Sequence, residues 1–117
     1  MPLLSILTTA EPSSERRAQL LSGLSRVLAR ELEKPESYVL VSFARPMAMS
    51  FGADASRTAC YAELKNVGTL TPERCEQLSA ILCRELSVGL DVPADRIYVE
   101  FTNADGALWG WNGTTFA

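Results

Sequence analysis

Residues 15–43, ERRAQLLSGLSRVLARELEKPESYVLVSF, and residues 73–101, ERCEQLSAILCRELSVGLDVPADRIYVEF, align without a gap at an offset of 58. Eleven of the 29 paired positions are identical, among them Glu15/Glu73, Arg16/Arg74, Leu24/Leu82, Leu32/Leu90, Pro35/Pro93 and Phe43/Phe101. The offset is about half of the 117 residues, so the chain reads as two copies of one supersecondary unit, about 1–58 and 59–117. At this length they form a single domain, with no room for a second.

Each copy has the same grammar. Leu20, Leu21, Leu24, Val27, Leu28 and Leu32 recur with the helical period after Ser13 or Ser14 as N-cap. Leu78, Ile81, Leu82 and Leu86 do the same after Thr71 as N-cap and Pro72 at the first helical position, with Gly89 near the end. Pro35 and Pro93 mark turns, and β-rich runs follow, Tyr38 to Ala44 and Ile97 to Phe101. Apolar strands precede the helices, Leu3 to Leu7 and about Cys60 to Val67. Strand, helix, strand implies a right-handed crossover between parallel strands. Two such units predict an α/β fold of the two-layer α+β kind, a four-stranded mixed sheet with both helices on one face. The run Tyr38 to Ala44 is apolar at nearly every position, which predicts burial on both of its faces. With no third layer available, the second face is expected to pack against other copies in a homo-oligomer, the rival being a monomer with one wet face.

Composition narrows the function classes. The chain is 47% hydrophobic and 21% charged with a net charge of -3, which describes a soluble globular protein and argues against a nucleic-acid partner. No apolar run is long enough for a membrane span, and the start has no basic region before a long apolar stretch, so it does not read as a secretory signal. A cytoplasmic location is expected, with leaderless secretion left open. Cys60, Cys75 and Cys83 are odd in number, lack C-x-x-C spacing and have no histidine beside them, so they read as small buried residues rather than a disulfide framework or a metal site.

The chain contains no histidine at all. The α-amine is then the one group that titrates near neutrality without help. The start Met1-Pro2 would expose a secondary amine on an apolar strand once Met1 is removed, making Pro2 a candidate base. If Met1 stays, Pro2 is an ordinary second residue.

These landmarks, together with Lys34-Pro35 and Tyr38, Met49-Ser50-Phe51-Gly52, Asn66-Val67-Gly68, Asp95-Arg96-Ile97-Tyr98 and the ending Gly110-Trp111-Asn112-Gly113-Thr114-Thr115-Phe116-Ala117, give the chain a resemblance. Over nearly its whole length it resembles the macrophage migration inhibitory factor branch of the tautomerase superfamily. The resemblance implies a homotrimer of βαβ repeats around a central barrel, with an active site at each subunit interface. It further implies cofactor-independent keto–enol tautomerisation of an aromatic 2-oxo acid, phenylpyruvate-like or dopachrome-like, with Pro2 as the catalytic base. In the substrate site it implies Lys34 for the carboxylate, the Val67 backbone N–H, Tyr98 from a neighbouring subunit, and Tyr38, Trp111 and Phe116 around the mouth. By itself Lys34 reads as a solvated lysine beside a turn, and Tyr38 and Phe116 read equally well as packing residues.

Two positions depart from the vertebrate cytokine. Glu100 replaces an asparagine on the same strand face as Tyr98, where a carboxylate would repel an anion and raise the proline pKa. Trp109 replaces a small aliphatic residue, narrowing the entrance. The cytokine's C-x-x-C is absent, which predicts no thiol oxidoreductase activity of that type. A cytokine-like binding protein with a receptor and an incidental pocket is the alternative function; hydration, dehalogenation or decarboxylation of a small acid is a weaker one. Asn112-Gly113-Thr114 reads as a turn.

Overall fold

The two halves of the repeat fold alike in the computed structural model, which describes residues 1–117. The first half runs β1 (Pro2–Thr8), α1 (Ser14–Leu32), a 3₁₀ turn (Glu36–Tyr38) and β2 (Leu40–Phe43). The second runs β3 (Cys60–Val67), α2 (Pro72–Leu90), a 3₁₀ turn (Ala94–Arg96) and β4 (Ile97–Ala104). A short hairpin, β5 (Gly110–Trp111) and β6 (Thr114–Thr115), closes the chain.

Local chemistry sets the helix ends. The Ser13 hydroxyl accepts from Arg16 N–H at 3.1 Å, and the Thr71 hydroxyl accepts from Arg74 N–H at 3.2 Å. These bonds satisfy amides that have no partner inside the helix. Both helices stop on a left-handed residue, Glu33 at φ 53° and Asp91 at φ 57°. The next amide then folds back, Lys34 N–H to Ala29 O at 3.0 Å and Val92 N–H to Ser87 O at 3.3 Å. Gly89 lies near the end of α2 as expected, one residue before its last. A Cβ there would come within 2.6 Å of a Leu20 methyl, so the glycine lets the two helices approach closely.

The sheet order is β2-β1-β3-β4, with β1 parallel to β2, β3 parallel to β4, and β1 antiparallel to β3. One face carries both helices over a core of Leu4, Ile6, Leu64, Leu24, Leu28, Leu78, Leu82 and Leu86. The shortest dimension is 22 Å, the thickness of one sheet and one helix layer, so no third layer exists. No helix is long and apolar enough to cross a membrane.

The predicted strand Tyr38 to Ala44 is corrected here. Tyr38 belongs to the 3₁₀ turn that follows Pro35, Ala44 lies beyond the strand, and β2 is a sheet edge with Leu40 59% exposed. The apolar run is therefore not buried on both faces within one chain: Val41 and Phe43 pack toward the core, while Leu40 and Ser42 look outward. Of the cysteines expected to be buried only Cys60 is, Cys75 and Cys83 being half-buried.

Between β2 and β3 the chain makes a long excursion, tied to β1 by Ala44 N–H to Ile6 O and Met47 N–H to Thr8 O and gathered farther on by Arg96. Arg96, 5% exposed, donates to the carbonyls of Thr58 at 2.7 Å, Phe51 at 3.0 Å, Asp54 at 2.9 Å and Arg57 at 3.0 Å. Its guanidinium also lies 5.3 Å from the centre of the Phe51 ring.

Candidate active site

Pro2 opens β1 with its side chain fully buried on the helix-facing side of the sheet. The Met1 ammonium donates to the Tyr38 carbonyl at 3.0 Å, which ties the start of the chain to the turn before β2. A cleft of about 360 Å³ opens over this point, walled by Pro2, Tyr38, Trp109, Trp111 and Phe116. Tyr38 meets Trp111 edge-on at 5.2 Å and Phe116 edge-on at 5.8 Å, while Trp111 and Phe116 stack at 5.8 Å. The last two rings are carried by the hairpin, whose connecting pair Asn112-Gly113 has φ of 50° and 78°. Positive φ at both positions is what a two-residue hairpin turn requires.

Lys34 arrives by the helix stop. After the reversal at Glu33 the Lys34 ammonium donates to the Val67 carbonyl, at the end of the central strand β3, at 3.0 Å. The terminal amine is held below its ordinary value, first by burial and then by the positive charge of Lys34. Val67 and Gly68 line a second cleft of about 480 Å³, with Asn103, Asp105 and the shared wall Phe116. Gly68 sits at φ 126°, a conformation that side-chain-bearing residues avoid, and its N–H donates to Ala104 O at 3.1 Å.

One chain thus gathers Pro2, Lys34, Val67, Tyr38, Trp111 and Phe116 at one end of the sheet. Tyr98 and Glu100 are not brought there. Tyr98 pairs in register with Tyr61, which pairs with Leu7, five residues along β1 from Pro2 and so roughly 17 Å away at the usual strand rise. Both point from the open face of the sheet. Tyr98 is 65% exposed and touches Phe51 ring to ring at 4.8 Å. Glu100 accepts a hydrogen bond from the Tyr61 hydroxyl, and that bond, before burial, pushes the Tyr61 phenol up to about 12.

Two residues of the region escaped the sequence reading. Tyr61, as the partner of Glu100, had no signal before the β3–β4 register was known. Asn66 had one: it is the polar member of the inward series Cys60, Ala62, Leu64, Asn66.

The model of the macrophage migration inhibitory factor (MIF) family matches residues 1–117. The chain belongs to that family. A MIF homolog of Trichinella spiralis is 34% identical over 116 residues, covering 99% of this chain and all of that one. Among solved structures, the MIF homologue of Prochlorococcus marinus is 36% identical with a TM-score of 0.90, covering 98% of this chain and 99% of that one. The Trichinella spiralis MIF structure gives 32% and 0.88, with 97% and 99% covered. Two helices on a four-stranded mixed sheet are thus the MIF fold.

Proposed function

We propose that this MIF-family protein is a cofactor-independent keto–enol tautomerase for phenylpyruvate-like acids, with Pro2 as its base once Met1 has been removed. The observation that carries the reading is the chain terminus: the Met1 amine, one residue before Pro2 in an aromatic cleft, has its proton loosened by burial and by Lys34, and the Pro2 amine would take up the same surroundings. With Met1 gone, the Pro2 nitrogen becomes a secondary amine with a lone pair. It takes the enol hydroxyl proton and returns a proton to the carbon next to the new carbonyl. Lys34 holds the substrate carboxylate, and Tyr38, Trp111 and Phe116 stack on the ring and exclude water.

The reading includes a homotrimer. Tyr98, level with Leu7, and Glu100, level with Ser5, both on the open face and away from Pro2 in their own chain, would then meet the cleft of a neighbour, and exposed Leu40 would find cover. An ultraviolet assay of phenylpyruvate ketonisation, on protein whose mass shows a free Pro2, is expected to give a rate above buffer that Pro2→Gly lowers at least about a hundredfold. No rate in the wild type sinks the activity, and full rate in Pro2→Gly sinks the base. Light scattering is expected to give three times the mass of one chain; one chain's mass at micromolar concentration would exclude the trimer.

A further inference from the structure

Asn66 stands directly opposite Pro2 in the antiparallel β1–β3 pairing, and both side chains lie on the helix-facing side of the sheet. It is 4% exposed, yet its Oδ1 has no hydrogen-bond donor and no contact with solvent. Buried carbonyl oxygens in native folds are ordinarily paired, and an orphan asks for a reason. Packing does not supply one. The inward neighbours on β3 are Cys60, Ala62 and Leu64, and a leucine would complete that series without an unsatisfied atom.

The other buried polar residues of the sheet and its surroundings are fully engaged. The Thr8 hydroxyl donates to Ala59 O at 2.7 Å and accepts from Ala10 N–H at 3.1 Å, and Arg96 is bonded to four carbonyls. The neighbouring strand's Asn103 clasps Leu70 with both ends of its amide, at 2.8 Å and 3.3 Å. The Asn66 oxygen alone is left over, beside a residue whose nitrogen carries no hydrogen while Met1 is attached. Removal of Met1 changes that nitrogen from an amide without a donor into an amine with one N–H when neutral and two when protonated.

We propose that Asn66 is a positioning residue for the base: its Oδ1 accepts the N–H of the free Pro2 amine and so turns the nitrogen lone pair into the cleft. Directly opposed residues of an antiparallel pair keep their Cβ atoms about 4.5–5.5 Å apart, within the reach of a side-chain amide. A neutral pyrrolidine has one N–H and one lone pair, so fixing the first aims the second. The acceptor also favours the protonated amine, whereas Lys34 and burial disfavour it, so the two influences set the base between them. This inference rests on Pro2 being the base, but its test does not need turnover.

The test follows the Pro2 amine and the Asn66 side-chain amide by NMR across a pH titration of isotope-labelled protein, after an aminopeptidase has removed Met1. The Asn66 amide resonances are expected to move with the Pro2 titration, in the unmutated protein. In folded Asn66→Leu the Pro2 pKa is expected to fall by about one pH unit, and kcat by about tenfold. A flat Asn66 amide signal through the Pro2 titration overturns the proposal, whether or not the variant folds. So does a folded Asn66→Leu with the wild-type Pro2 pKa. An absence of phenylpyruvate turnover in wild-type protein refutes the tautomerase reading instead, and leaves the titration to decide Asn66.

Discussion

The Lys34 ammonium donates to the backbone carbonyl of Val67 at 3.0 Å, joining the end of the first helix to the end of the third strand. This bond links the terminal amine's electrostatics to the second cleft, because the same charge that rests on Val67 loosens the proton of the chain terminus. Lys34→Met keeps the aliphatic stem and removes the charge. It is expected to raise KM for an anionic substrate by at least about tenfold, the loss of one charge-assisted hydrogen bond. The ascending limb of the pH–rate profile should move to higher pH, since the amine must be neutral to act. An unshifted limb would show that Lys34 does not act on the base.

The terminal amine has a second consequence, for stability. With Met1 in place its folded pKa lies below the ordinary 8.0, so in that window the unfolded chain binds more protons than the folded one. Stability should therefore rise with pH through the window and level off above it. Chemical denaturation at a series of pH values checks the sign, with the acetylated terminus as the flat reference.

Glu100 accepts from the Tyr61 hydroxyl and holds its proton in place. The Tyr61 phenol is raised from 10.0 to about 12, so its contribution is present below pH 10 and lost as pH climbs toward 12. Absorbance at the tyrosinate band is expected to show one late-ionising tyrosine that Tyr61→Phe removes. In the proposed trimer the hydroxyl shields the Glu100 carboxylate from substrate, so Tyr61→Phe should weaken binding of an anionic acid and Glu100→Gln should restore it. Unchanged KM in both variants would keep Glu100 away from the substrate.

Arg96 is expected to be the costliest single exposed-loop anchor to remove. Arg96→Met removes a buried donor from four carbonyls, of which those of Phe51 and Asp54 keep each other's N–H, and is expected to cost about 2–4 kcal/mol by denaturant unfolding. Because Phe51 rests on Tyr98, the variant should also loosen that contact. A loss below about 1 kcal/mol would mean that solvent replaces the guanidinium at each carbonyl.

Gly106 bears on the cleft through its backbone. A Cβ there would collide with the Phe116 carbonyl, and Phe116 N–H donates to Gly106 O at 3.1 Å. Gly106→Ala should push Phe116 out of its stack on Trp111, at about 1–3 kcal/mol and with a loss of activity on aromatic acids. Tryptophan fluorescence reads the displacement, and an unchanged spectrum would place the adjustment elsewhere.

Much of the architecture was legible because it is written locally. Ser13 and Thr71 lie within three residues of the amides they cap, the leucines of both helices recur within a turn or two, and the 58-residue offset relates even the left-handed stops at Glu33 and Asp91. The limits of β2 were not legible. Tyr38 to Ala44 has β character throughout, but the turn after Pro35 takes its first residue, and its place at the sheet edge leaves Leu40 uncovered. Of the site residues, Pro2 was marked by the missing histidine and the Met1-Pro2 start, while Lys34, Val67, Tyr38, Trp111 and Phe116 came from resemblance and landmark order. Nothing in their own spacing brings residues 2, 34 and 116 together.

The sequence by itself determined the repeat, the two helices with their caps, the four-stranded sheet and the absence of any imidazole base. Those are properties of residues close along the chain, or of composition. Only the tertiary structure decided that Lys34 meets Val67, that Tyr61 bonds Glu100, and that an unpaired Asn66 faces Pro2. Each joins residues more than 30 apart and depends on strand register, where a slip of one residue turns every side chain to the opposite face.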